Sequence, residues 1–325
     1  MCKKKGLASL ALMMVLLLVA CTGKASPTPT LRTIRLPMGY IPNVQFAPIY
    51  VAVERGYFAE EGLALEFDYS FETDGVKLVG VGELPFAIAS GDQVILARAQ
   101  GLPVVYITEW YQRFPIAVVA LTESGIRSPQ DLEGRRVGIP ETFGASFIGW
   151  RALVEATHLD ETKVQLLTIG YTQKESLVEG RVDAAVVYVN NEPVLLQQEG
   201  YDLQVIPVAD YADLPANGLI TNEQTIAQEP DLVRAFVRAF LRGLQDTLDD
   251  PEAAFQISTR YVEGLADNAD VQRAVLQATL DYWRAERLGY SERETWENGI
   301  QVMQAAGLLD VELNVDDLFN NDFLP

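Results

Sequence analysis

From Ile34 onward, short apolar runs alternate with segments whose apolar residues recur every three or four positions, which is the pattern of successive βα units. The runs predict strands over 34–38, 65–69, 86–89, 104–108, 117–121, 137–139, 164–169, 184–188 and 203–208. Between them the periodicity predicts helices beginning near Phe46, Gly75, Asp92, Ser128, Ala145, Gln173 and Glu192. Such alternation predicts an α/β architecture built on mainly parallel sheets. Ser128 followed by Pro129 offers an N-cap with proline at the first helical position, and Gly56, Gly101 and Gly180 stand where helix C-caps are expected.

After Pro215 the pattern changes to nearly continuous helix. In the run from Asp231 to Phe240 apolar residues keep helical spacing, and Arg234, Arg238 and Arg242 share the opposite face. That stripe reads as a solvated face rather than an anion site. Further helices are predicted over 270–282 and 291–306, the second opened by Ser291 with Glu294 three positions on, a capping-box spacing. No repeat of solenoid period is present.

The amino terminus departs from this pattern. Lys3, Lys4 and Lys5 precede an apolar run, 7–20, broken only by Ser9; it is too short for a mature membrane span and reads as a secretory signal peptide over 1–20. Its end, Leu18-Val19-Ala20-Cys21, resembles a bacterial lipoprotein box, which makes Cys21 the expected lipidation site. Residues 21–31, polar and proline-rich, read as a tether.

Composition narrows the chemistry. Cys2 and Cys21 are the two cysteines, so the mature domain has no thiol for a disulfide, a thiolate metal site or a nucleophile. With one histidine, His158, at the end of a predicted helix, neither a catalytic nor a metal site is expected. The net charge of -20, near -23 once the three signal lysines are removed, disfavours nucleic acid and anionic lipid surfaces as partners.

About 300 mature residues suffice for two modest domains. The composition shift suggests one lobe from 32–118 plus 214–325, carrying the C-terminal helices, and a second lobe over 119–213. Two crossings, near 117–121 and 210–215, would then form a hinge. In open α/β sheets ligands sit beyond the carboxyl ends of strands. The residues just after the predicted strands include Tyr40, Asn43, Gln45, Ser90, Asp92, Glu109, Trp110 and Tyr111 in the first lobe. In the second they include Glu141, Thr142, Phe143, Gly144, Ala145, Ser146, Tyr188, Asn190, Asn191 and Glu192. Several have plainer readings: Asp92 as a helix cap, Asn43 as a turn residue, Asn190 and Asn191 as a turn with a cap, and Trp110 and Tyr111 as core.

The run Gly39-Tyr40-Ile41-Pro42-Asn43-Val44-Gln45-Phe46-Ala47-Pro48, continuing to Gly56 and Gly62, resembles the opening of periplasmic binding proteins of the thiamine-pyrimidine-precursor and sulfonate type. The blocks from Gly82 to Asp92, from Ser128 to Gly138 and from Glu179 to Asp183 resemble later parts of the same family, so the likeness covers most of the mature chain. It implies a two-lobed type II periplasmic-binding-protein fold that closes on a small ligand. It further implies delivery to an ABC permease and its ATPase, on the extracytoplasmic face of the cell membrane, by a monomer without enzymatic activity or a cofactor.

The candidate lining decides among ligands. A sulfonate calls for arginine or lysine forks, and Arg113 is the one basic residue near the lining. Rings such as Tyr40, Trp110, Tyr111, Phe143 and Tyr188, with amide and hydroxyl groups beside them, suit a planar heteroaromatic. Within the family two flat ligands compete. Paired carboxylates, Glu109 and Glu192, would suit the formylated aminopyrimidine precursor of thiamine; several rings with many neutral donors and acceptors would suit riboflavin. By overall appearance the chain resembles riboflavin-binding RibY proteins more than pyrimidine-binding ThiY proteins. The cysteine-rich run associated with pyrimidine synthases of this fold is absent.

Overall fold

The computed structural model describes residues 31–325, so the signal, Cys21 and the tether up to Thr30 lie outside the described residues. In chain order the strands are β1 (Arg32–Pro37), β2 (Leu63–Asp68), β3 (Ala87–Ser90), β4 (Val104–Glu109), β5 (Ile116–Leu121), β6 (Arg136–Ile139), β7 (Gln165–Thr168), β8 (Ala184–Tyr188), β9 (Leu203–Pro207) and β10 (Asn217–Asn222). The helices are α1 (Ala47–Glu54), α2 (Tyr57–Glu60), α3 (Glu72–Gly80), α4 (Gly91–Ala99), α5 (Gly144–Thr157), α6 (Gln173–Val178), α7 (Glu192–Gln198), α8 (Glu223–Gln228), α9 (Pro230–Asp249), α10 (Pro251–Ser258), α11 (Ala269–Trp283) and α12 (Arg293–Ala305).

β1 and β2 pair in parallel, and a three-stranded sheet runs β3-β10-β4; together they make the first lobe. The second lobe holds a five-stranded sheet in the order β7-β6-β8-β5-β9. β10 is antiparallel to both its neighbours, as β5 is to β8 and β9, while β6 is parallel to β7 and β8. The expectation of mainly parallel sheets is therefore corrected. β5 and β10 are the strands the chain enters on crossing from one lobe to the other, so neither has to be reached through the helical crossover that a parallel neighbour requires. β5 belongs to the second sheet from Ile116, so the first crossing lies before the 117–121 run.

β10 itself falls where the sequence predicts continuous helix. It is buried on both faces and flanked by asparagines, so it shows neither alternation nor a long apolar run. Its Gly218 lets two strands and a ring approach closely: a β-carbon there would lie 2.1 Å from the Tyr106 hydroxyl. The helix expected at Ser128 is a single 3-10 turn, Pro129–Leu132, though Ser128 and Asp131 do form a capping box. The box expected at Ser291 and Glu294 is absent, because α12 starts one residue later with Glu292 as its N-cap, and Ser291 instead pairs through its backbone with Asn321. Gly56, Gly101 and Gly180 adopt positive φ just past helix ends, and exposed His158 caps α5 in the left-handed region.

α9 lies on α1 and α2. Arg238 reaches Glu61 at 2.7 Å, Arg242 reaches Glu60 at 2.6 Å, and Arg234 pairs with Asp231 at 3.2 Å, which makes the arginine stripe a solvated, ion-paired face. The C-terminal helices also touch the second lobe, α11 against α7 and α12 against α5. Among the described residues no helix is long and apolar enough to cross a membrane.

Candidate functional site

The carboxyl ends of the strands of both lobes face a common cleft, where the open edges of such sheets accept ligands. From the first lobe come Tyr40, Gln45 and Phe46 after β1, Phe71, Glu72 and Thr73 after β2, Trp110 and Tyr111 after β4, and Asn217 at the start of β10. From the second come Glu141, Phe143, Gly144, Ala145 and Ser146 after β6, Tyr171 and Gln173 after β7, and Tyr188, Asn191 and Glu192 around the end of β8. No Lys, Arg or His stands among the lining residues. The space between the walls, counted out to the open mouth, is about 960 Å³.

The floor is aromatic and rigid. Trp110 is 1% exposed, and its ring packs within 5.6 Å of Tyr111, Phe240 and Trp283 and within 6.1 Å of Phe46. The backbone N–H groups of Trp110 and Tyr111 both donate to the carbonyl of Asn217, so β10 fixes where β4 ends. At the mouth Phe71, Phe143 and Tyr171 are exposed instead, with Tyr40 half-buried beside them. Phe71 and Tyr171 stand 6.3 Å apart, Tyr40 meets Tyr171 at 4.9 Å and 89°, and Phe143 meets Phe71 at 5.8 Å and 81°.

The polar groups divide into those already satisfied and those that are not. Buried Gln45 leaves its Nε2, Trp110 its Nε1 and Asn217 its Oδ1 without a protein partner. Buried polar groups are normally paired, so these atoms in a cleft wall are available to a ligand. At the start of α5 the N-cap is Phe143, which has no capping side chain; Gly144 has φ +74, and the first-turn N–H groups lack a side-chain acceptor. The positive helix end thus opens on the cleft. Thr142 does not cap it and lines an adjoining groove with Phe147 and Leu308, which meets the cleft at Thr73, Phe143 and Gly144.

The carboxyls are shifted by burial. Glu192 is pushed up to about 7 by desolvation, although the Tyr188 N–H and the Asn191 amide donate to it. Glu72 is raised in the same way, partly offset by the Ser90 hydroxyl donating at 2.6 Å. Behind it, fully buried Asp92 is pushed up to about 7 by burial and then by the charge of Glu72. Among the described residues no group of His, Cys, Asp and Glu is placed to hold a metal ion.

Six of the sequence candidates stand behind the lining. Glu109, at the end of β4, is one of them: its backbone N–H donates to the Gly289 carbonyl, and of the carboxylate pair expected of Glu109 and Glu192 only Glu192 lines the cleft. Asn43 caps the 3-10 turn Val44–Phe46, accepting from the Gln45 N–H at 2.9 Å. Ser90 and Asp92 form the Glu72 support, Thr142 faces the other groove, and Asn190 points away to Thr279. Conversely, Phe71, Glu72, Tyr171, Gln173 and Asn217 line the cleft without a motif of their own. Phe71, Glu72 and Tyr171 follow β2 and β7 just as the other candidates follow their strands, and that position is the signal that marks them.

Residues 43–254 match the family described as NMT1/THI5 like. The riboflavin-binding protein RibY of Chloroflexus aurantiacus is 41% identical over 98% of this chain and 97% of its own. The chain belongs to the NMT1/THI5-like family. The formylaminopyrimidine-binding protein of Halalkalibacterium halodurans is 30% identical over 95% of this chain and 96% of its own. Among solved structures, the alkanesulfonate-binding protein SsuA of Xanthomonas axonopodis pv. citri, bound to MOPS, superposes with a TM-score of 0.70 at 12% identity, over 91% of this chain and all of that one. The fold is that of the two-lobed periplasmic binding proteins, and this member of the family is a solute-binding protein, like its relatives at 41% and 30% identity.

Proposed function

We propose that this protein captures riboflavin outside the cell and passes it to an ABC permease, held at the membrane by lipid on Cys21. The observation that carries the reading is a cleft walled by rings, amides and hydroxyls with no cationic side chain. A sulfonate would meet three lining carboxylates, Glu72, Glu141 and Glu192, and no guanidinium fork. A neutral tricyclic ring finds aromatic walls, and its carbonyl and imide groups find the open end of α5, the Gln45 amide and the buried carboxyls. The relative that is 41% identical binds riboflavin, which supports the same ligand here.

Binding proceeds without turnover in this reading. The ligand settles on one lobe, and closure adds the other lobe's contacts; those contacts, absent in the open form, are what drive closure. The segments between β4 and β5 and between β9 and β10 act as the hinge. A lipidated Cys21 with two or three acyl chains would hold the monomer at the membrane surface, where one chain alone is marginal.

The test is a fluorescence titration of riboflavin with the full chain. Stoichiometric quenching is expected. A protein that leaves riboflavin emission unchanged yet is stabilised against heat by formylaminopyrimidine would overturn the assignment. The three lining carboxylates and the relative at 30% identity favour that second ligand.

A further inference from the structure

We propose that Phe71 and Tyr171 are the two plates of a clamp, one from each lobe, between which the ligand's ring system stacks. The inference deepens the reading of the cleft as a site for a flat heteroaromatic and rests on it. Phe71 precedes α3 in the first lobe, and Tyr171 follows β7 in the second. Their rings lie 35° from parallel with centroids 6.3 Å apart. A ring inserted between two others needs two van der Waals contacts of roughly 3.5 Å, or about 7 Å in all. A small opening and a modest rotation therefore admit one ring and no more.

Exposure separates the plates from the floor. Phe71 is 42% exposed and Tyr171 40%, with Phe143 at 44% beside them. Isolated exposed rings need no explanation, but three in one cluster at a cleft mouth mark a binding surface. Trp110, by contrast, is enclosed by Phe46, Tyr111, Phe240 and Trp283, so it makes the floor and offers no free face to both sides of a ligand.

The supporting rings make the clamp depend on closure. Tyr171 is met nearly at right angles by Tyr40 of the first lobe, and Phe71 by Phe143 of the second. Each plate is thus oriented by a ring of the opposite lobe, in the perpendicular arrangement that aromatic pairs favour. Opening the lobes separates the plates and removes both supports at once, so stacking is available only in the closed form.

The experiment is riboflavin titration of the full chain carrying Phe71→Leu, Tyr171→Leu, both together, and Tyr171→Phe. Leucine keeps apolar bulk and removes the ring face. Each leucine variant is expected to weaken binding about tenfold or more, and Tyr171→Phe to restore affinity. Both positions are exposed, so the free variants should melt within a few degrees of the wild type. If wild type binds riboflavin and the double variant binds it equally well, the clamp is wrong and the cleft assignment survives. If wild type binds the formylaminopyrimidine instead, the same variants titrated with that ligand decide the clamp by the same criterion. If wild type binds neither, the heteroaromatic reading falls and takes the clamp with it.

Discussion

The side-chain amide of Asn190, just beyond β8 in the second lobe, donates to the hydroxyl of Thr279 in α11 at 2.9 Å, while Thr279 in turn donates to the carbonyl of Val275 at 2.7 Å. Both residues are buried, and the contact ties the second lobe to a C-terminal helix behind the cleft. Asn190→Ala should lower stability by about 1–3 kcal/mol, the range for a buried hydrogen bond lost with a polar group left behind. Affinity should stay within a few-fold, because Asn190 does not line the cleft. Urea unfolding and ligand titration of the variant measure the two effects; intact stability with a large loss of affinity would place Asn190 in the site after all.

Trp110 is floor and core together, and its truncation cannot be a clean test of binding. Trp110→Ala should cost about 3–5 kcal/mol, as for large-to-small changes at enclosed aromatics. Trp110→Phe should retain the fold and remove the indole N–H, which has no protein partner. Denaturant midpoints for the two variants check this, and equal midpoints would contradict the packing described.

The buried carboxyls fix the direction of the pH dependence. Burial pushes Glu109 up to about 8, and Glu192 and Asp92 up to about 7, from ordinary values of 4.5 for Glu and 3.8 for Asp. A raised carboxyl pKa means that the folded form holds its proton more tightly, so the contribution is fully present below the unfolded value and is lost as pH rises through the folded one. Tm should therefore fall between about pH 5 and pH 8, and Glu109→Gln should flatten the upper part of that fall. A wild-type Tm that is constant or rising over this interval would sink the argument.

Gly243 of α9 passes against α1 so closely that a β-carbon would lie 2.2 Å from the Pro48 carbonyl oxygen and 2.6 Å from the Ala52 methyl. Alanine is the better helix former, yet Gly243→Ala should destabilise by about 1–3 kcal/mol through overpacking. A raised Tm in the variant would show that α1 and α9 can part without loss.

Most strands could be read from the chain because their apolar runs are bounded by turn residues, and the crevice followed from the rule that ligands sit beyond strand ends. After β1, β4, β6 and β8 the rule points to Tyr40, Trp110, Phe143 and Glu192, and Phe71 and Tyr171 hold the corresponding places after β2 and β7 with no motif to single them out. Asn217 could not be found, since β10 carries no periodicity, and its place depends on pairing with strands more than a hundred residues earlier. Asn43 and Asn190 suit the lining by type and position, yet each side chain finds a protein partner instead, the Gln45 N–H and the Thr279 hydroxyl, which local sequence does not specify. The likeness to known binding proteins supplied the two lobes, not the details of their walls.

β10 also governs the order in which the molecule can be assembled. The five-stranded sheet is contributed by one uninterrupted stretch from Ile116 to Pro207, whereas β3 and β4 do not pair with each other and wait for a centre strand that emerges only at Asn217. As the chain emerges from its amino end during synthesis, the second lobe can reach its native pairing while β3 and β4 still have exposed edges. This delay, rather than any weakness of the finished domain, is where a chaperone would have to act.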